Sequence, residues 1–466
     1  MQRPDRRFEQ KTQGRALGLA ALSSLALLGA IECDEARAAT LTVGGAGAAA
    51  PTLSLGVSMA VDGDTVLVAS GTYNEIIVTS KAIAIVADGP SGSVIVDGGS
   101  FSSVLSFVDV AGPVALDGVL LRNGVAARGA ALRLDGVAGG VTLSYCTFTG
   151  NIASLTGGAI DAIDTVVEIS ECEFENNTTD GAAEQRGGAI SLRDGSSGSS
   201  IVASRFTYNE ANFGGAVFFT GQVTLGECTF IDNTAERGGA VYSNDASEPT
   251  VTHCTFEGNS ADDYGGAVYL AGVGGDIRWS TFEGNSSTTG GAIYLGAGNG
   301  LSVRRCLFNG NSAAHGGGIG GASLFSLLTF STFYANTASL EGAHVFFNQS
   351  SPEVTQNIFA SPVTSPSLHC EGPASPTIGC NLFDSGVVGA ASGCDDPTGN
   401  DGNVEDDPLF CDAPDGDFGL NGDSSLAAAG NGPPECSDEG MGRDGTACGV
   451  SPIEQTSWGL LKSRYQ

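Results

Sequence analysis

The sequence predicts an all-β fold, a right-handed parallel β-helix of roughly 25-residue coils closed by a Cys-rich C-terminal cap. Three observations predict it. An F-x-x-N pattern recurs at near-constant spacing, and a Gly-Gly pair follows most copies. The intervening segments are rich in Val, Ile, Thr and Phe, with no run long enough for a helix. Glycine supplies 70 of 466 residues, about twice the usual share of roughly 7%. With 16 prolines added the total is 18%, below the roughly 25–30% of low-complexity disorder. The surplus therefore belongs to turns.

The copies are Phe148/Asn151, Phe174/Asn177, Phe206/Asn209, Phe230/Asn233, Phe256/Asn259, Phe282/Asn285, Phe308/Asn311 and Phe333/Asn336. Successive Phe residues are 26, 32, 24, 26, 26, 26 and 25 apart. Phe359 and Phe383 extend the series without the downstream Asn, and Leu121 precedes it by 27. Gly-Gly-Ala-Ile/Val stands eight to thirteen residues after each Phe, at 157–160, 187–190, 214–217, 238–241, 265–268 and 290–293. It becomes Gly-Gly-Gly-Ile at 316–319 and decays to Glu341-Gly342-Ala343. A unit this short cannot bury its own apolar face, so the units must stack.

Position −5 from each Phe is apolar (Leu143, Ile169, Ile201, Leu225, Val251, Ile277, Val303), and −2 is Cys or Ser. Phe and −2 share a strand face by the period of two, whereas −5 is out of phase, so the chain bends between −4 and −3. Stacking at ~4.8 Å then predicts a Phe stack, a Cys/Ser row and an Asn row in a turn. The Gly pair supplies a conformation closed to other residues. The right hand follows from the rule for parallel crossovers.

F-x-x-N followed by GGA[I/V/L] resembles the repeat pair of the chlamydial polymorphic outer-membrane proteins, within the pectin-lyase-like β-helix superfamily. The resemblance covers about residues 121–345. It implies an adhesin-like surface role. Full-length members carry a C-terminal membrane β-barrel, and the 83 Cys- and Asp-rich residues after Phe383 are too few for one. The wider superfamily includes enzymes that cleave acidic polysaccharides, typically with a carboxylate cluster holding Ca²⁺ and a Lys or Arg base. That sets the alternative reading, a polysaccharide lyase or hydrolase.

Residues 1–38 read as a cleaved signal peptide: Arg3, Arg6, Arg7, Lys11 and Arg15 precede an apolar run from Ala16 to Ile31, and Ala36-Arg37-Ala38 fits a cleavage site. Residues 39–64 read as an N-terminal cap with a short helix in Pro51–Val61, 65–390 as the β-helix, 391–450 as a Cys/Asp-rich cap and 451–466 as a tail. The tail runs from Gln455 through Trp458 to Tyr465, and fits a docking segment or a frayed end. Asp62-Gly63-Asp64-Thr65-Val66 and Asp407-Pro408-Leu409-Phe410-Cys411 resemble opening and closing coils of secreted bacterial β-helices. The expected location is extracellular, at the cell surface or outer membrane, with no transmembrane segment after cleavage.

Residues 39–466 keep 47 acids and 14 bases, a charge that repels nucleic acid and anionic lipid. No nucleic-acid partner is expected; a polysaccharide or cell-surface component is. Cys146, Cys172, Cys228, Cys254 and Cys306 fall in the inward row as stacked thiols. Cys370, Cys380, Cys394, Cys411, Cys436 and Cys448 lie in the C-terminal part, where six cysteines suggest three disulfides.

Two candidate sites emerge. The bend row places Thr252-His253, Arg278-Trp279 and Arg304-Arg305 in consecutive coils, away from acids. His253, Arg278, Trp279, Arg304 and Arg305 would form a glycan-binding strip, with Trp279 on a sugar face and the arginines forking onto uronate or sulfate. The plainer reading is solvated bend residues that offset nearby acids. The second site is an aromatic ladder after the Gly-Gly-Ala motif: Phe218, Tyr242, Tyr269 and Tyr294. It either lines the outside for ligand or stacks in the core, and sequence parity does not choose.

No catalytic residue is assigned. Asp161/Asp164 and Asp262/Asp263 read as turn residues without a partner base, and His253, His315, His344 and His369 fit no triad. No cofactor or metal site is expected. The acids from Asp395 to Asp417 carry the hard oxygens that Ca²⁺ takes, but match no EF-hand spacing and fit a solvated loop.

Overall fold

The computed structural model describes residues 38–421 and 424, apart from short breaks at 100–101, 182–183, 245–247, 273, 297–299, 322–324, 361–364 and 386–388. The leader, the tail, Cys436 and Cys448 lie outside the described residues. The chain winds through three long parallel sheets: sheet A with 14 strands, sheet B with 14 and sheet C with 13. A fourth, sheet D, has six strands from Val125–Arg128 to Ser260–Tyr264, and Ser312–His315 pairs Thr337–Glu341 farther along. A representative coil runs Thr250–Thr252 in sheet A, Thr255–Glu257 in B, Ser260–Tyr264 in D and Val268–Leu270 in C.

The predicted stacks are present. Phe148 to Phe333 form one column with centroids 4.5–4.9 Å apart and planes within 9°. Each ring is fully buried. The bend is a left-handed residue at −3: Tyr145, Glu171, Ala203, Glu227, His253, Trp279, Arg305 and Phe330 have φ between 48° and 55°. This region costs a non-glycine residue ~1–2 kcal/mol. The next coil holds it, as in His253 N–H to Arg278 O at 3.2 Å and Trp279 N–H to Arg304 O at 3.2 Å.

The Gly pair works differently from the sequence reading. Only its first member is left-handed, Gly265 at φ 65° and Gly290 at 69°. The second, such as Gly266, is glycine because a Cβ there would collide with the carbonyl oxygen of Gly291 in the next coil.

The Asn row is a continuous amide ladder. Asn259 Nδ2 donates to Phe230 O (3.0 Å) and Asn285 Oδ1 (3.0 Å), while Asn259 Oδ1 accepts from Asn233 N (3.0 Å) and Nδ2 (2.9 Å). The pattern runs from Asn151 to Asn336. Where Phe359 and Phe383 lack the downstream Asn, the ladder shifts to the −2 row: Ser331 N bonds Asn357 Oδ1, then Asn357 bonds Asn381, and Asn381 bonds Asn403.

At the junction the sequence has Pro362 in the Asn position, and His344 replaces the alanine of the Gly-Gly-Ala motif. Its Nδ1 meets Asn336 Nδ2 at 3.2 Å, and the ring lies beside the stacked Phe333 and Phe359, 5.9 and 6.0 Å from their centroids. Burial pushes the His344 imidazole down to about 3. An imidazole of folded pKa about 3 binds its proton only after unfolding near 6.5, so its stability contribution is full above pH ~6.5 and falls as pH drops toward 3. His344→Gln is expected to flatten the pH dependence of the unfolding midpoint between pH 6 and 4 by up to one proton. Parallel wild-type and variant slopes would contradict this.

The −2 cysteines are buried free thiols. Burial pushes the Cys172 and Cys254 thiols well up, and Sγ–H groups donate to carbonyls, as Cys146 does to Ser144 O. Ser204 and Ser280 do the same through Oγ–H.

Coils extend past 65–390 at both ends. Thr40–Val43 opens sheet A, Ala391–Ser392 ends sheet C and Val404–Glu405 ends sheet B. The helix α1 (Leu53–Met59) packs Leu53 and Val57 onto the first coil. Glu75 accepts its Leu53 and Ser54 N–H groups, and Lys81 Nζ donates to Val57, Ser58 and Ala60 carbonyls, each charge matching the nearer end of the helix dipole. At the other end Cys370 and Cys394 form a disulfide, and Cys380 and Cys411 are also disulfide-bonded.

Candidate functional site: the outer face of sheet C

The ladder faces outward but is covered. Val217 and Phe219 point into the core, so Phe218 between them points out. Register aligns Arg133, Asp161, Ser191, Phe218, Tyr242, Tyr269 and Tyr294 in one row. Phe218 is 1% and Tyr242 8% exposed, because side chains from sheet D fold over them. Arg186 lies 5.2 Å from the Phe218 ring, Phe213 meets Tyr242 edge-on at 5.2 Å, and Tyr264 lies 4.5 Å from Tyr294. Arg237 sits between Phe213 and Tyr264, with Asp263 at 3.6 Å.

The ladder rings stack on one another at 5.6, 4.6 and 5.2 Å. Their faces are taken, which leaves ring edges and the tyrosine hydroxyls. Burial raises the Tyr269 phenol and pushes Tyr294 up to about 12, with Tyr269 and Tyr264 adding to the latter. Both hydroxyls therefore stay protonated donors at ordinary pH.

Asp161 corrects the sequence reading. It is in the strand Ile160–Ile163, not a turn, and it has a partner base. Arg193 grips it bidentately, Nη2 to Oδ1 at 2.9 Å and to Oδ2 at 3.0 Å, and also reaches Thr156 Oγ1 at 3.3 Å. Burial drives the Asp161 carboxyl up, opposed by Arg193, Thr156 and Arg128. Ser191 beside it is fully buried, and its Oγ has no hydrogen-bond partner among the described residues. The signal for Asp161 was available: it is the residue after Gly-Gly-Ala-Ile, the ladder position itself.

The bend strip assembles as a column. His253 and Trp279 are parallel at 6.2 Å, and Arg305 lies 4.9 Å from Trp279 and 4.6 Å from Phe330. The register puts His253 and Arg305 on opposite sides of Trp279, so the indole offers an edge rather than a free face. The arginines are not away from acids. Asp276 meets Arg278 at 3.3 Å and Arg304 at 3.0 Å. The plainer reading, arginines offsetting acids, describes these two.

Toward the C-terminus the outward row continues to Phe346 and His369, which stack at 5.5 Å. Glu341 Oε2 lies 3.5 Å from His315 and 3.4 Å from His369. Among the described residues no three His, Cys, Asp or Glu side chains converge to hold a metal. In the acidic C-terminal loop, Asp396 accepts from Thr398, Asp407 from Leu409 N and Asp417 from Gly419 N.

Comparison with known proteins follows the same lines. The family model for a right-handed β-helix region matches residues 129–286, and that for the Chlamydia polymorphic membrane protein repeat matches 280–296. No curated protein matches the sequence. Among solved structures, an alginate lyase of family PL6 in complex with a trisaccharide gives a TM-score of 0.44 at 11% identity, over 75% of this chain and 85% of that one. A PL6 polysaccharide lyase from Pseudopedobacter saltans gives 0.37 at 13%, over 71% and 90%. A pectate lyase gives 0.35 at 13%, over 88% and 97%. No described helix is long and apolar enough to cross a membrane. The described coils form a right-handed parallel β-helix, and the polymorphic membrane protein repeat is part of it.

Proposed function

We propose that this is an exported β-helix, secreted or displayed at a bacterial surface, that binds an extended glycan along the outer face of sheet C without cleaving it. The observation that carries the reading is the outward row itself. It sets the hydroxyls of Tyr242, Tyr269 and Tyr294 in three consecutive coils, with Arg133 farther along the same row, an arrangement that a linear polymer with repeating polar groups can match. Aromatic stacking adds rigidity, so little side-chain entropy is lost on binding.

The alternative, bond cleavage, draws on Asp161 facing Arg193 and Arg128. Binding is favoured because Asp161 is 1% exposed and held bidentately by Arg193, so this buried acid–base pair is not presented to a substrate. Removing both hydroxyls in Tyr269→Phe/Tyr294→Phe should weaken an oligouronate about tenfold, at ~0.5–1.5 kcal/mol per hydrogen bond. Calorimetric titration checks this; an unchanged affinity would exclude the row as the binding face.

A further inference from the structure

We infer that the concavity beside the first strand of sheet D binds the acidic group, carboxylate or sulfate, of a sugar ring. The inference rests on the glycan reading and adds the ligand's charge and its anchor.

Sheet D starts at Val125–Arg128, whose pairing partner within that sheet is Ile152–Thr156 on one side. Beside this strand lies a concavity of about 510 Å³ lined by Ser102, Ser103, Val125, Arg128 and Arg133, among others. The two arginines flank the tight turn at Gly129, whose left-handed φ of 52° swings the chain from sheet D into sheet C. Both guanidinium groups therefore border one space.

Their charges are poorly cancelled. In a chain of formal charge −32, Arg122, Arg186, Arg193, Arg237, Arg278 and Arg304 each meet a carboxylate within 4.0 Å. Arg128 is exposed and makes neither an ion pair nor a side-chain hydrogen bond among the described residues. Arg205 also lacks an ion pair, but it faces Glu173 across sheet B and does not line this concavity. Asp161 is close enough to feel Arg128, yet its oxygens are already bound by Arg193. Arg133 spends Nη2 on Asp135 at 2.8 Å, which leaves donors of its planar fork for a second acceptor. A guanidinium without a partner beside one with spare donors fits a planar carboxylate or a sulfate.

Arg133 also lies in the outward row of the ladder, five coils from Tyr269, or about 24 Å at the usual strand spacing. A single sugar reaches the anchor alone, whereas a longer oligomer reaches both anchor and hydroxyls.

The test titrates wild type, Arg128→Ala, Arg128→Lys and Arg128→Ala/Arg133→Gln with galacturonate, hexagalacturonate and the methyl-esterified hexamer. Arg128→Ala is expected to weaken galacturonate and hexagalacturonate at least tenfold, with partial recovery in Arg128→Lys and no change for the ester. Equal acid-oligomer binding by wild type and both Ala variants would overturn the anchor and leave the glycan face standing. Arg128-dependent binding of galacturonate, with hexamer affinity indifferent to Tyr269→Phe/Tyr294→Phe, would support the anchor and overturn the extended face. No binding of any probe to wild type would overturn both.

Discussion

Gly266→Ala is expected to prevent the central coils from stacking, a loss of more than ~4 kcal/mol. That exceeds the ~1–3 kcal/mol usual for overpacking, because the obstacle is backbone that cannot change rotamer. The added Cβ would strike the carbonyl of Gly291 and the backbone of Ser286. Moving either opens inter-coil bonds such as Gly266 N to Gly290 O (3.1 Å) and Ala267 N to Ala292 O (2.9 Å). Gly284→Ala is the control. It has φ 63° but nothing within 4 Å of the added Cβ, so it should cost only the ~1–2 kcal/mol of a left-handed alanine. Denaturant unfolding of both variants checks the contrast; equal losses would show that conformation, not space, sets the second glycine.

The second large effect is Asn259→Leu. The substitution keeps approximate volume but removes a donor and an acceptor that serve both neighbouring coils. Phe230 O, Asn233 N and Nδ2, and Asn285 Oδ1 all lose a bond in a site with no water access. At ~1–3 kcal/mol per orphaned buried group, a loss of ~4 kcal/mol or more is expected. Because each coil touches only its neighbours, the break should also separate unfolding into two transitions. A single transition shifted by less than ~1 kcal/mol would contradict the ladder's role.

The interior was legible in the sequence because period and alternation together fix which residues share a face. Phe, Cys/Ser and Asn each occupy one register position in coil after coil, so each forms a column. The bend at −3 was legible for the same reason, although its left-handed geometry was not, since Trp279, Arg305 and Glu227 carry no turn signature.

The outer face was less legible. Alternation says that Phe218 and Val217 oppose each other, but both are apolar, so hydropathy gives no direction. What covers the ladder comes from sheet D, through Phe213, Arg237 and Tyr264, in the segment whose length varies from coil to coil and has no fixed register. Asp161 was misread because it breaks the Phe/Tyr identity of its row, and its partner Arg193 comes from the neighbouring coil. Asp276 was missed beside Arg278 because it serves two coils at once.

The most direct test of the account is calorimetric titration of the protein with hexagalacturonate, with and without calcium, followed by measurement of the oligosaccharide's length in the same sample. Saturable, salt-sensitive binding and recovery of intact hexamer are expected in both conditions. Shortened chains would contradict this, as would the absence of any heat of binding.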